Sequence, residues 1–564
     1  MGDSLAGSTR SGKPRILVVG GVAGGASSAA RARRLSEDAE IIIFERGPYV
    51  SFANCGLPYY VGNVITEERD LLVATPQLFR RRFNIEVRVL SEVQTIDRGG
   101  NEIAVKDLEG GQVYREPYDV LVLAPGSAPI RPPLRGIDTA GIHTLRTIPE
   151  SREVREWIQE RGVSRAVIVG GGSIGLETAE NLVRRGISVT IVEMQSQVMP
   201  AVDPEMAVPI QDHLQANGVE LCLGDGVASF ENDAQGRIRV ETKSGKAYPC
   251  DMVLLAIGVR PEISLAKDAG LEIGELGGIR VDDRMRTGDE HIWAVGDAVE
   301  VRDFVTGEWT LIPLAGPANR QGRIAADAIL GRDSRFRGVQ ATMVCKVFDV
   351  TMAATGASER TLERCAAQGH PIPYDKVYLH PGHHVGYYPG AKPITMKLVF
   401  STEDGRVLGA QAVGEEGVEK RIDVIAMAIQ KVATVFDLEE AELCYAPQFG
   451  AAKDPVNVAG MIAANALRGD APVAHWADVG RTPATILDVR EPHEYEMGHI
   501  DGAVNIPLGE LRDRMGELPF DADILTYCAV GQRSYYASRA LRQYGYNARN
   551  VSGGIRTYAA YRRL

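Results

Sequence analysis

The chain has 564 residues, 45% of them hydrophobic and 24% charged, with a formal net charge of −12. That length holds about three or four domains. The negative balance argues against non-specific nucleic-acid binding, and no apolar run approaches the roughly 18 residues of a membrane span. Seven cysteines, odd in number and scattered from Cys55 to Cys528, argue against a disulfide framework and for a reducing cytoplasm.

Residues 1–14 are polar and small and are expected to be a disordered tail, not a signal peptide. Ile16-Leu17-Val18-Val19 then reads as a buried parallel strand. It runs into Gly20-Gly21-Val22-Ala23-Gly24-Gly25, with a helix expected from Ala26 to Leu35. The next strand, Ile41-Ile42-Ile43-Phe44, ends on Glu45. A unit of this kind places a diphosphate on the helix N-terminus and its acidic residue on the ribose hydroxyls. Val22 stands where the usual fingerprint has its middle glycine.

Cys55 follows in Ser51-Phe52-Ala53-Asn54-Cys55-Gly56-Leu57-Pro58. No second cysteine lies within a turn, so a redox role requires a partner sulfur from a small molecule or sulfenic acid chemistry. The helix start at Leu57-Pro58 is expected to depress the thiol pKa. The bland reading, a buried structural cysteine, competes poorly beside a nucleotide fingerprint.

Further along, Ala166-Val167-Ile168-Val169-Gly170-Gly171-Gly172-Ser173-Ile174-Gly175 repeats the fingerprint intact, and Glu193 ends the strand Val189-Thr190-Ile191-Val192. Two such folds imply two dinucleotides. Glu193 repels a 2′-phosphate and Met194-Gln195-Ser196 offers no arginine for one, so the second nucleotide is expected to be NADH. From about 345 to 465 strand and helix mix. Ala471-Pro472 and Thr482-Pro483 then punctuate a linker. In the last stretch, strands are expected at Ile486–Arg490 and at Ile524–Tyr527, with Cys528 at the C-terminal end of the second. The short loop Cys528-Ala529-Val530-Gly531-Gln532-Arg533-Ser534 turns backbone N–H groups inward. Those donors, a helix N-terminus and Arg533 favour a thiolate.

Several of these segments resemble known families. Leu121-Val122-Leu123-Ala124-Pro125-Gly126 and Ile292-Trp293-Ala294-Val295-Gly296-Asp297 resemble the two flavoprotein signatures of an FAD domain, with Pro125 in place of the usual threonine. The Cys528 loop, Asp488-Val489-Arg490-Glu491, Gly498-His499-Ile500-Asp501-Gly502-Ala503 and Ser552-Gly553-Gly554 resemble the rhodanese sulfurtransferases. A phosphatase-like loop has one more residue between cysteine and arginine. Residues 15–465 resemble the single-cysteine flavin disulfide reductases, closest to the coenzyme A disulfide reductases. The whole resembles the coenzyme A disulfide reductase–rhodanese fusions, the NADH-dependent persulfide reductases.

The resemblance implies an α/β fold: two Rossmann-like dinucleotide-binding domains, an α+β dimerisation domain and a C-terminal rhodanese α/β domain. It places an FAD-binding domain at 15–135 and 259–340, an NAD-binding domain at 136–258 and a dimerisation domain at 341–465. A linker at 466–480 and a rhodanese domain at 481–564 complete it. The implied FAD positions are Gly20, Ala23, Gly24, Gly25, Glu45, Arg46, Asn54, Val93, Ala124, Gly126, Asp297 and Ala315. Those for NAD are Gly170, Gly172, Ser173, Ile174, Gly175, Glu193 and Gly258. Coenzyme A is expected at Ala23, Arg31, Arg34, Ser51, Phe52, Asn54 and Arg320. The first helix also carries Arg33, and a solvated helix face is the competing account of any one arginine. Tyr387 or Tyr388, with Tyr387 preferred, and Tyr445 match tyrosines that the partner subunit of a homodimer contributes as hydrogen-bond donor or general acid. Cys55 is expected to form a mixed disulfide with coenzyme A and Cys528 to carry sulfane sulfur. No metal site, nucleic acid or membrane partner is expected. The competing activities are an NADH oxidase or peroxidase cycling Cys55 through sulfenic acid, and a sulfur-carrying or redox-sensing scaffold.

Overall fold

A run of apolar residues with no polar face needs a sheet covered on both sides. In the computed structural model, which describes residues 13–233, 236–481 and 483–563, Arg15–Val19 is the central strand of a five-stranded parallel sheet. Its order across is Ile292–Ala294, Val120–Leu123, Arg15–Val19, Glu40–Phe44 and Glu86–Arg88. Leu17, Val18, Ile42, Ile43, Leu121 and Val122 are wholly buried in it. The first helix spans Ala23–Leu35, starting earlier than the pattern suggests. The glycine turn is tight enough that Val22 already accepts the first helical bond, from Ala26 N at 2.9 Å.

A second parallel sheet repeats this plan in the order Glu220–Cys222, Ser188–Val192, Arg165–Val169, Met252–Leu255 and Ile142–His143. Both sheets and their antiparallel three-stranded ribbons belong to one compact unit, residues up to 196 and 218–339. Residues 197–217 do not stay with it. They cluster with residues from 340 onward, because Asp203 and Glu205 at the start of helix Pro204–Ala216 are bonded to the buried Lys397.

That second unit contains an antiparallel sheet in the order Met343–Val347, Val350–Gly356, Val407–Gly414, Ile394–Ser401 and Tyr374–Leu379. The tail forms a five-stranded parallel sheet in the order Val473–Ala474, Ala548–Val551, Ile524–Tyr527, Thr485–Asp488 and Val504–Asn505. This corrects the expected linker at 466–480. Val473–Ala474 pairs with Asn550 and Val551 as an edge strand, and Trp476 is buried against Tyr527 and Tyr558. A two-residue strand is too short to announce itself by alternation, so the tail starts earlier than its proline punctuation suggests. Thr482 and most of the expected N-terminal tail lie outside the described residues; Pro14 accepts a bond from Glu40 N at 3.0 Å.

Candidate active sites: two nucleotide cradles and two thiols

The two glycine turns meet the same steric demand. Gly20 has φ +91°, and a Cβ there would stand 2.1 Å from the carbonyl oxygen of Ala124. Gly170 has φ +109°, with Ala256 O at 2.4 Å from the same point. Only glycine fits either place. Gly25 and Gly175 let each helix close on its turn, their Cβ positions lying 1.9 and 2.2 Å from Gly20 O and Gly170 O. The acids at the ends of the second strands then curl back alike. Glu45 accepts from Gly21 N at 2.8 Å and Gly47 N at 2.9 Å. Glu193 accepts from Gly171 N at 2.7 Å and Gln195 N at 2.8 Å. Burial pushes the Glu45 carboxyl up while those amides oppose it. Each carboxylate thus stands beside a cradle closed by backbone, which fits a dinucleotide with its ribose on the acid.

Asp297 Oδ2 accepts from Ser127 Oγ at 2.9 Å and Arg146 Nη2 at 3.1 Å. Ala23 and Gly24 lie in the first helix, and Ala124 and Gly126 follow strand Val120–Leu123. Val93 lies in strand Ser91–Asp97 and Ala315 opens helix Ala315–Ile329. Arg46 pairs with Glu262 at 3.5 Å. Ser173 opens helix Ser173–Arg184, which carries the exposed Ile174, and Gly258 has φ +101°.

Cys55 sits in the 3₁₀ turn Asn54–Gly56, ahead of a helix of only five residues, Leu57–Val61. It is exposed, yet its thiol is raised, first by the protein around it and then by Glu177, with Arg146 opposing. The expected depression therefore does not occur: so short a helix carries little dipole, and desolvation with a carboxylate outweighs it. The two charged neighbours were not evident from sequence. Glu177 lies in helix Ser173–Arg184, just past the second glycine turn, and burial pushes its carboxyl up to about 7 while a hydrogen bond from Tyr59 opposes. A glutamate directly after Gly175-Leu176 was the available signal. Arg146 had none. It donates to Ser127 O and Oγ, each at 3.2 Å, to Asp297, and to the Asn54 amide oxygen at 2.7 Å.

The arginines of the first helix have three different fates. Arg31 Nε bonds Asp327 at 2.6 Å with both side chains largely covered, so it is not the free cation that helix-face reasoning suggests. Arg33 is buried and donates to the carbonyls of Ser36, Glu37, Ala39, Phe83 and Asn84. Arg34 is exposed. Arg320 lies over the Phe336 ring at 5.3 Å, and burial together with Arg337 pulls its pKa down. Ser51 takes φ +49°, and Phe52 bridges Leu72.

In the second unit the Tyr387 and Tyr445 hydroxyls meet at 2.7 Å, on exposed side chains. Tyr388 instead stands edge-on to His384 at 5.5 Å, which leaves Tyr387 as the tyrosine paired with Tyr445. Both loops hang on the buried Arg421. It donates to His383 O at 2.7 Å and to Asp454 Oδ2 at 3.0 Å, and Val385 N reaches Gly450 O at 3.0 Å.

Cys528 directly follows strand Ile524–Tyr527 and is buried. Its sulfur accepts from Gly531 N at 3.2 Å and from Ser534 Oγ at 3.4 Å. Gly531 takes φ +98° and launches helix Gln532–Gln543. Arg533 grips Glu494 through two bonds of 2.6 and 2.7 Å, and the guanidinium pulls that carboxyl down to about 2. Asp488 and the carbonyl of Gly498 hold Arg490, with Asp488 Oδ2 at 2.6 Å and Gly498 O at 2.7 Å.

Two nucleotide cradles with a thiol after the first define a dinucleotide-dependent disulfide oxidoreductase, here with a sulfur-transfer fold appended. Residues 14–322 match the family described as pyridine nucleotide-disulphide oxidoreductase, residues 342–454 its dimerisation domain, and residues 472–561 the rhodanese-like domain. The chain belongs to the pyridine nucleotide-disulphide oxidoreductase family. It is 36% identical to the NADH oxidase of Methanocaldococcus jannaschii over 450 residues, 79% of this chain and 97% of that one. Among solved structures, reduced CoADR-RHD of Bacillus anthracis shares 49% identity with a TM-score of 0.94, over 97% of this chain and 98% of that one. The NAD-dependent persulfide reductase of A. fulgidus shares 37% with a TM-score of 0.89, over 96% and 100%.

Proposed function

We propose that the chain is an FAD-dependent, NADH-driven reductase of persulfides, polysulfides and coenzyme A disulfide. In this reading Cys55 is the redox thiol and Cys528 the carrier of sulfane sulfur. The observation that carries it is the pairing, in one chain, of a lone cysteine beside a flavin-type cradle with a second cysteine in an amide-lined sulfurtransferase loop. Cys55 thiolate attacks the coenzyme A-bound sulfur of coenzyme A persulfide, forming a mixed disulfide and expelling hydrosulfide. Two electrons and a proton then release the coenzyme A thiol and restore the thiolate. FAD, when bound, supplies those electrons from NADH.

Arg146 stabilises the Cys55 thiolate, and Glu177, titrating at about 7, holds or yields a proton beside it. The FAD residues are those of the first cradle with Asp297, and the NAD residues those of the second with Glu193. Arg34 and Arg320 are the cations assigned to the coenzyme A phosphates, and Arg31, bonded to Asp327, has its charge already shared. The enzyme acts as a homodimer in which Tyr387 and Tyr445 serve the partner's Cys55. Seven unpaired cysteines support a cytoplasmic location.

The likeness to an NADH oxidase favours a second reading, in which Cys55 reduces oxygen or peroxide through sulfenic acid. NADH consumption with coenzyme A persulfide, coenzyme A disulfide, oxygen and peroxide separates them. Turnover is expected to be fastest with the sulfur substrates and to vanish in Cys55→Ser while FAD stays bound. Full persulfide turnover by that variant defeats the proposal.

A further inference from the structure

Strand Tyr374–Leu379 lies at the edge of the antiparallel sheet, where outward N–H groups lack a neighbouring strand. The tail supplies a partner for one of them and several side-chain contacts beside it. Tyr378 N donates to Ser552 Oγ at 2.8 Å. The Tyr378 hydroxyl meets Tyr561 OH at 2.9 Å and donates to Glu205 at 2.7 Å. His380 Nε2 lies 2.8 Å from Thr557 Oγ1, and His475 Nε2 lies 2.7 Å from Asp375. Burial pulls His380 down to about 3, so this contact is between neutral groups. The strand is also fixed from behind. Lys397, wholly buried on the neighbouring strand, bonds Asp203 at 2.7 Å and Glu205 at 2.5 Å, and also Glu359.

The same tail residues lead directly to the carrier thiol. Helix Gly554–Tyr561 begins on the Cys528 loop: Ile555 N donates to Cys528 O at 2.8 Å and Arg556 N to Ala529 O at 3.1 Å. A Cβ on Gly554 would stand 2.4 Å from Cys528 O and 2.8 Å from Val530 N. Trp476 Nε1 holds Gly554 O at 2.8 Å. These bonds fix the peptide planes of the loop, and with them the direction of the N–H groups that face the sulfur. Thr557 and Ser552 sit on either side of that turn; Ser552 is held by Tyr378 of the edge strand and Thr557 by His380, the residue that follows it.

We propose that Ser552 and Thr557 are positioning residues through which the edge strand Tyr374–Leu379 and the adjoining His380 orient the Cys528 loop for sulfur transfer. The inference rests on the reading of Cys528 as the sulfane carrier. In that chemistry the Cys528 thiolate takes the outer sulfur of thiosulfate and releases sulfite. The resulting persulfide passes this sulfur to cyanide as thiocyanate and regenerates the thiolate. Donors aimed at the sulfur act on both thiolate and persulfide, so a small tilt of the loop withdraws their stabilisation from both and lowers the rate.

The test uses the full chain with Thr557→Val, Thr557→Ser and Ser552→Ala. Three measurements are made: thiosulfate-to-cyanide transfer, the pH profile of Cys528 alkylation read on its own peptide, and NADH-driven coenzyme A disulfide reduction. Thr557→Val and Ser552→Ala are each expected to lower the transfer kcat about tenfold, the scale of one lost buried hydrogen bond, and to move the alkylation midpoint to higher pH. Thr557→Ser keeps the hydroxyl and should retain both within about twofold, with disulfide reduction unchanged in all three. Unaltered transfer and alkylation in Thr557→Val and Ser552→Ala overturn the proposal. So does a Thr557→Ser variant as impaired as Thr557→Val, since packing would then be the cause. If Thr557→Val fails to fold, Ser552→Ala, which removes one oxygen, decides alone. Sulfur transfer that survives Cys528→Ser would instead remove the carrier reading beneath.

Discussion

Glu494→Gln isolates what the carboxylate does for Arg533 beside the Cys528 loop. Arg533 takes the Glu494 carboxyl from the ordinary 4.5 to about 2, which at ~1.4 kcal/mol per pH unit bounds the pair at about 3 kcal/mol. The two side chains are 31% and 21% exposed, and screening reduces that bound to about 1–2 kcal/mol. Because the folded pKa is depressed, the contribution is fully present above the unfolded value near 4.5. It is lost as pH falls from there towards about 2. Hydrogen exchange of the helix Gln532–Gln543 in the intact chain reads this directly. At neutral pH the amide variant should exchange about five- to thirtyfold faster, following the opening free energy. Sulfur transfer should fall with it, as the freed guanidinium no longer holds one position over the loop. The parent alone should show extra protection that disappears on acidification through that window. Equal exchange rates for parent and variant at pH 7 would refute this account and reduce the pair to a surface contact.

Three further outcomes follow from other parts of the molecule. Glu177→Gln removes an acid that titrates at about 7 and disfavours the Cys55 thiolate, so the Cys55 alkylation profile should move to lower pH; an unmoved profile means the two groups do not sense each other. NADH should exceed NADPH in kcat/KM by roughly tenfold or more, ~1.4 kcal/mol, with Glu193→Ala narrowing the gap, and equal constants in the parent would contradict the role of Glu193. Tyr387→Phe, which breaks the 2.7 Å pair with Tyr445, should leave the sedimentation of a dimer intact. It should lower kcat for coenzyme A disulfide about ten- to a hundredfold, and an unchanged kcat removes the tyrosine from proton transfer.

What could be read from the sequence was what short spacing encodes. Gly20, Glu45, Gly170 and Glu193 lie within single strand–turn–helix units, where backbone sterics dictate residue type. The Cys528 loop carries its own donors within a few residues of the sulfur. What was hidden depends on long-range approach. Arg31 meets Asp327 from a helix far off in sequence, and Arg146 reaches Asn54 and Asp297 from the turn between strand Ile142–His143 and helix Ile148–Arg161. Lys397 is the single charge in strand Ile394–Ser401, and only the arrival of Asp203, Glu205 and Glu359 makes its burial tolerable. The direction of the Cys55 shift is set by the surrounding protein wall and Glu177, which come from outside the local sequence, rather than by the adjacent helix start.

One of the differences between the two glycine turns has a use. A methyl group on Gly20 or Gly170 strikes the chain's own carbonyl, so such variants lose the turn before any nucleotide is involved. Gly172 is unlike them: none of the described residues lies within 4 Å of the point where its Cβ would stand, and its φ is an ordinary −76°. The apoprotein has no steric need for glycine there, whereas the corresponding position of the first turn is Val22. Gly172→Ala is therefore a substitution that leaves the host untouched and meets only the guest. A loss of pyridine nucleotide affinity in that variant, with flavin retained, measures how closely a diphosphate approaches the backbone.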